Sequence, residues 1–405
     1  MTLNTNKKYF YPLLENGFSR RDISEGQKVL KTRFITMGKH TSKFEKIFAK
    51  KFKSKYAVMV NSGSSANLLA VFASKNPLRK NIFKNNDEAL IPALCWSTSL
   101  WPLVQAGLKP KFVDIDPKTL NVDADHLISK INKKTKVIML VNVLGSATNV
   151  KKITDYAKKK KIIVIEDNCE SLAGKLNNKY LGTFGDFGTF SFFYSHQITS
   201  GEGGMVLCNN IKDYGLLVGL RSHGWSRGVF QKKISKQYSK LDSRYIFYNS
   251  GFNLRPLDIQ AAIGLSQFNR LELIKSIRKY NKKMIIECII KDIRWKNQFQ
   301  FVEIPKNIDP SYMVIPLLLA KKYKNKKKVF IKNLEKMGIE TRPIISGSFV
   351  NQPSAKLYNL NKKNVKFKGA QFVEDLGFVI GLHTKKIQKK TLKKIVNSLF
   401  SIDKI

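Results

Sequence analysis

A histidine in a turn between two apolar strands is positioned to move protons. The segment Thr189 to Cys208, TFSFFYSHQITSGEGGMVLC, reads as strand, turn and strand, with His196 in the connecting stretch. Upstream, the apolar run IIVIEDN carries Asp167 at its end, and further upstream lies the turn NSGSSAN, Asn61 to Asn67. Ligands of open α/β sheets bind beyond the carboxyl ends of the strands, and both Asp167 and the turn fall at such ends. A turn that feeds a helix offers free backbone N–H groups and a positive dipole to a phosphate. Gly63 allows close backbone approach, and Ser64 and Ser65 add hydroxyl donors. Alone, this turn reads equally as an ordinary helix cap, and Asp167 reads equally as the start of a turn with Asn168.

Together these pieces fit one chemistry. A carboxylate paired with a protonated pyridine nitrogen keeps the ring cationic, and a cationic ring is an electron sink. A strand-end acid, a phosphate-sized turn and a glycine-flanked loop are what a pyridoxal phosphate site requires. Trp96, in PALCWSTS, follows another strand and offers an aromatic face to such a ring, although a tryptophan there reads by itself as core. Histidine moves protons near neutral pH because its ordinary pKa is close to 6.5.

The elements that must position these residues alternate through the first 210 residues as strands and helices, the pattern of an α/β fold with a mostly parallel sheet. KYAVMV (55–60), EALIPAL (88–94), KPKFVDI (109–115), KVIMLVNVLG (136–145) and KIIVIED (161–167) read as strands. SKFEKIFAKKF and SSANLLAVFAS have helical spacing. Past residue 255, IQAAIGLSQFNRLELIKSIRKYNKKMIIECII reads as one long amphipathic helix or a broken pair joining two domains. SYMVIPLLLA, a helix over 324–338, IETRPII and LGFVIGL then suggest a small α+β domain. We place a large domain over 1–265 and a small one over 266–405.

Composition sets the class of partner. The 405 residues carry a formal charge of +44, which by itself resembles a nucleic-acid signature. Only 12 of the 73 basic residues are arginine, however, and the lysines are spread over the whole chain with many Asn, Ile and Phe, as codon drift would produce. Nucleic acid is therefore not the expected partner. Cys95, Cys169, Cys208 and Cys288 lie far apart without metal-ligand spacing, so neither a disulfide framework nor a metal site is expected. The sequence shows no signal-peptide pattern at its start and no run long and apolar enough for a membrane span, which makes a cytoplasmic protein the expectation.

NSGSSANLLA, PALCWSTSLWPLVQAGLKPKFVDID, IEDNCESLAG, GTFGDFGTFSFF, GEGGMV, FNLRPLDIQAAIGLSQ and GIETRPI, in that order, resemble the DegT/DnrJ/EryC1/StrS family of sugar aminotransferases over nearly the whole chain. The resemblance implies the aspartate-aminotransferase fold (fold type I) and pyridoxal or pyridoxamine phosphate as cofactor. By motif it gives phosphate contacts to Gly63, Ser64 and Ser191, a ring-nitrogen partner in Asp167 and a stacking role to Trp96. Glu170 is expected to help orient the cofactor. Asn253, in SGFNLRP, matches the asparagine that reaches a phosphate bound by a partner subunit, which implies a homodimer with shared active sites.

One departure decides the reaction. Family aminotransferases carry a lysine where this chain has His196, and imidazole cannot make the covalent link to the cofactor aldehyde that lysine makes. The subset with this swap resembles nucleotide-sugar 3-dehydratases, which remove the C3 hydroxyl of a 4-keto-6-deoxyhexose, here a GDP-linked mannose-type sugar, with glutamate as amino donor and deoxysugar or O-antigen synthesis as setting. His223 is expected to join the proton relay. Arg227 and Arg342 are candidates for the diphosphate or the donor carboxylate, and each reads also as a surface or interdomain ion pair. An iron–sulfur branch shares the histidine, but no cysteine lies between Arg221 and Arg255 where its cluster belongs. An aminotransferase using Lys175 or Lys179, or a non-catalytic cofactor-binding or nucleic-acid-binding protein, are the other readings.

Overall fold

The computed structural model describes residues 9–405 except 16, 81, 362 and 363. Strands β1 (Tyr56–Val60), β2 (Glu88–Pro92), β3 (Lys109–Val113), β4 (Thr135–Val141) and β5 (Ile163–Asp167) fall on the five apolar runs read from the sequence. A short hairpin of β6 (Lys175–Leu176) and β7 (Lys179–Tyr180) follows, then β8 (Phe187–Ser191) and β9 (Gly204–Cys208), the strand, turn and strand around His196. The main sheet has the order β1-β9-β8-β5-β4-β2-β3. Only β9 runs against the others. The central strands β5 and β8 are buried along their whole length, as expected for a sheet covered by helices on its faces.

Burial of β5 takes in two acids. Glu166 accepts the backbone N–H groups of Gly182 (2.8 Å), Phe184 (2.7 Å) and Gly185 (2.7 Å), and so ties the loop before β8 to the sheet. Burial pushes its pKa up, and the three N–H groups pull it back. Asp167 closes the strand and faces the site described below.

The amphipathic stretch after residue 255 forms a broken pair, helices Asp258–Phe268 and Leu271–Ile290. Beyond it come β10 (Phe299–Phe301), β11 (Ile308–Asp309), β12 (Val314–Leu319), β13 (Thr341–Arg342) and β14 (Gly377–Gly381). β11 pairs with β6, and the other four make an antiparallel sheet in the order β10-β12-β14-β13. IETRPII gives only two strand residues, because Pro343 has no N–H for the ladder and Ile345 turns to a positive φ of 50°. The beginning of the chain docks on this second sheet. Tyr11 exchanges backbone bonds with Gly338 and Glu340 (both 3.0 Å), its hydroxyl donates to the Gly381 carbonyl (3.0 Å), and its ring stacks on His383 at 4.2 Å.

Glu166→Leu strips the acceptor from three N–H groups, that of Gly182 buried, and the expected loss of unfolding free energy is about 1–3 kcal/mol, read from urea denaturation.

Candidate active site

At the carboxyl end of β5 the Asp167 side chain is fixed by neutral donors. Its Oδ2 accepts from Asn67 Nδ2 and Ser99 Oγ, each at 2.7 Å, and its Oδ1 accepts the Cys169 N–H at 3.1 Å. Asn67 is held in turn by Thr189 on β8, whose hydroxyl donates to Asn67 Oδ1 at 2.6 Å. No lysine or arginine among the described residues forms an ion pair with Asp167, so its charge is free for a cation brought by a ligand. Asn67, Ser99 and Thr189 were not picked out as site residues from the sequence, although the first two lie inside the motifs NSGSSAN and PALCWSTS.

The turn after β1 becomes the first turn of helix Gly63–Ser74. Ser62 caps it through the Ser65 N–H (3.1 Å), which leaves the N–H groups of Gly63 and Ser64 without helical acceptors. Gly63 is pressed against β8, and a Cβ there would lie 2.5 Å from Ser191 Cβ and 2.9 Å from Cys169 Sγ. Gly63, Ser64 and Ser191 therefore line one cradle of N–H and hydroxyl groups at a helix N-terminus, the donor set a phosphate takes. Trp96 precedes helix Ser97–Gln105, whose Thr98 hydrogen-bonds Ser64 at 2.9 Å and whose Ser99 holds Asp167. Trp96 is 55 % exposed, so part of its surface is not covered by protein.

His196 lies in the turn after β8. Its Nδ1 is buried with no hydrogen-bond partner. Burial lowers its pKa to about 4, against the raising influence of the Cys169 and Ser191 backbones and of Asp167. The folded chain thus holds a neutral imidazole through neutral pH, the form that accepts a proton. Glu170 shifts the other way. Burial, with Asp167 nearby, raises it to about 7, although the Leu144 N–H at 3.2 Å opposes the shift. An orphaned imidazole nitrogen, an unpaired carboxylate and an open phosphate cradle fit pyridoxal phosphate.

The structure thus gathers Gly63, Ser64, Trp96, Asp167, Glu170, Ser191 and His196. The remaining four candidates make other contacts within this chain. His223 (φ 61°) has its Nε2 3.4 Å from Arg255 Nη2, and Arg255 donates to Asn253 Oδ1 at 3.0 Å. Arg227 lies over the Trp225 ring at 3.9 Å. Arg342 pairs with Glu340 at 2.6 Å, the ion-pair alternative read from the sequence. The lysines weighed for a covalent link sit on the β6–β7 hairpin, Lys175 over Tyr180 at 4.6 Å and Lys179 over Phe184 at 4.3 Å.

A phosphate cradle, a strand-end carboxylate and a doubly layered mostly parallel sheet define an enzyme of the aminotransferase fold. Residues 18–400 match the DegT/DnrJ/EryC1/StrS aminotransferase family, and the chain belongs to it. It is 35 % identical over 400 residues to the GDP-4-keto-6-deoxy-D-mannose 3-dehydratase of Yersinia pseudotuberculosis, covering 97 % of this chain and 98 % of that one. The fold matches the Escherichia coli GDP-4-keto-6-deoxy-D-mannose-3-dehydratase with bound hydrated PLP at a TM-score of 0.86 and 34 % identity, over 97 % of this chain and 100 % of that one. A GDP-4-keto-6-deoxymannose-3-dehydratase holding a trapped PLP-glutamate geminal diamine matches at 0.86 and 33 % identity, over 96 % and 100 %.

Gly63→Ala drives a methyl group into Ser191 and Cys169, and it is expected to weaken cofactor retention by about tenfold or more, a 1.4 kcal/mol effect, with the far-ultraviolet spectrum unchanged; absorbance titration with pyridoxal phosphate measures it.

Proposed function

We propose that this chain is a pyridoxal phosphate-dependent nucleotide-sugar 3-dehydratase that removes the C3 hydroxyl of GDP-4-keto-6-deoxymannose, with glutamate as amino donor. The observation that carries the reading is His196, a neutral imidazole with an unpartnered nitrogen at the position where the aminotransferases of the family carry lysine. The names of the relatives, and the PLP and glutamate of the structures, support cofactor, donor and substrate together.

When bound, the cofactor in its amine form supplies nitrogen to the sugar's C4 ketone and a cationic ring that takes up the electrons released there. The N–H groups of Gly63 and Ser64 and the Ser191 hydroxyl bind its phosphate. Asp167, aimed by Asn67 and Ser99, keeps the ring nitrogen protonated. Trp96 covers one face of the ring. With the cofactor bound, His196 would accept at a ring nitrogen the proton lost from the carbon next to the transferred nitrogen, whose electrons expel the C3 oxygen, and would hand that proton on so that the oxygen leaves as water. With the C3 oxygen gone, water would displace the nitrogen taken up at C4 as ammonia, so that a 3-deoxy-4-keto sugar and not a 4-amino sugar would be released. Glu170 holds its proton unusually high for a carboxyl and orients the cofactor.

The same proposal includes a cytoplasmic homodimer with shared sites. Asn253, His223 and Arg227 lie on a segment whose Tyr245 and Phe247 are 60 % and 56 % exposed, a surface suited to cover by a second copy. From there Asn253 reaches the phosphate held by the partner, Arg227 serves the nucleotide diphosphate and His223 joins the proton relay. Arg342, on β13, is the candidate for the donor carboxylate.

Protein incubated with pyridoxal phosphate, glutamate and GDP-4-keto-6-deoxymannose is expected to yield a 3-deoxy-4-keto sugar and ammonia by mass spectrometry, whereas a stable 4-amino sugar would overturn the dehydratase reading. His196→Asn is expected to lower kcat by about 10²–10⁴-fold while cofactor still binds. Mixing His196→Asn with Asn253→Ala protomers, each inactive alone, should restore about a quarter of wild-type activity, because half the dimers are mixed and each mixed dimer has one intact shared site. No recovery on mixing would place Asn253 outside the partner's site.

A further inference from the structure

Arg278 is the largest side chain that the fold buries completely, at 1 % exposure. It lies on helix Leu271–Ile290. Its Nε donates to the Leu382 carbonyl just after β14 (3.0 Å), its Nη2 donates to the His196 carbonyl (3.2 Å), and its Nη1 is buried without a partner. No carboxylate among the described residues forms an ion pair with it, and burial alone pulls its pKa down to about 10. One turn further on, Asn281 donates to the carbonyls of His383 (3.1 Å) and Lys385 (2.8 Å), so a neutral amide does there the same fastening that Arg278 does at Leu382. Fastening by itself does not require a charge. An uncompensated buried cation costs several kcal/mol, which points to a use for the charge itself.

That use is found at the imidazole. Burial is the chief cause that disfavours protonation of His196; the backbones of Cys169 and Ser191 and the carboxylate of Asp167 oppose it, and the charge of Arg278, bonded to the His196 carbonyl, adds a smaller push in the same direction as burial. Phe193 adds only a ring edge, at 5.8 Å. We propose that Arg278 is a positioning residue for His196, tying the turn that carries the imidazole to the second sheet and setting a permanent positive charge against its protonation. The proposal rests on His196 being the base. It adds a dependence of that base on the second sheet, because one guanidinium grips Leu382 and His196 together.

The test uses full-length, cofactor-loaded protein with isotope-labelled histidine, and compares Arg278→Gln and Arg278→Lys with wild type. In Arg278→Gln the charge is gone, and His196 is expected to protonate at a measurably higher pH by NMR, with the acid limb of kcat moving the same way. In Arg278→Lys the charge remains and the fork is lost, so the His196 titration should stay in place while kcat falls about tenfold with KM little changed. An unmoved titration in folded Arg278→Gln, or full kcat in Arg278→Lys, overturns the proposal. If Arg278→Gln does not fold, Arg278→Lys decides alone, since a shifted titration there also overturns it. The NMR result does not depend on the reaction catalysed. Full dehydratase turnover by His196→Asn would remove the role of base and leave the titration standing.

Discussion

A carboxylate buried at the end of the central strand, held by three neutral donors and, among the described residues, paired with no cation, is the constraint on which the site depends. Had Asp167 been paired with a lysine or arginine, its charge would be compensated within the protein. Asn67 and Ser99, each at 2.7 Å, orient it without neutralising it. Asn67 comes from the helix that also carries the phosphate cradle, Ser99 from the helix that Trp96 opens, and Thr189 on β8 locks Asn67 in place. One acid therefore registers three elements against each other. A slip of any of them would displace the carboxylate, the helix N-terminus at Gly63 and Trp96 relative to one another.

Around that acid the environment drives two titratable groups in opposite directions. His196 falls to about 4 and Glu170 rises to about 7, both chiefly through burial, which penalises whichever form is charged. Burial thus favours the uncharged form of both groups. Pairs of groups pushed apart in this way mark acid and base assignments in enzyme sites.

Much of this was legible in the sequence, for physical reasons. Buried parallel strands need continuous apolar runs, so β1, β2, β4 and β5 stood out, and the acid ending IIVIEDN could be placed at a strand terminus. His196 was readable because it interrupts a strand, turn and strand unit. Asn67, Ser99 and Thr189 were not, since a polar residue within a helix or strand shows its partner only when the chain has folded. Arg278 was hidden for the same reason. In a helix rich in lysine and arginine it looks like one more solvated cation, yet it is the one most deeply enclosed. Arg342 shows the converse case, a conspicuous residue in GIETRPI that bonds with Glu340 two positions away.

The docking of Tyr11 on the second sheet bears on how the protein is made. Tyr11 bonds to Gly338 and Glu340 and, across 370 positions, to Gly381. A ribosome releases the chain from its amino end, at about 5–20 residues per second, so this tyrosine emerges long before any of its acceptors exist. The main sheet can assemble during synthesis, while the opening segment has to wait for β14. Its docking is the step that a product stalled or truncated before β14 cannot complete, which makes the segment around Tyr11 a reporter of whether β14 has been added.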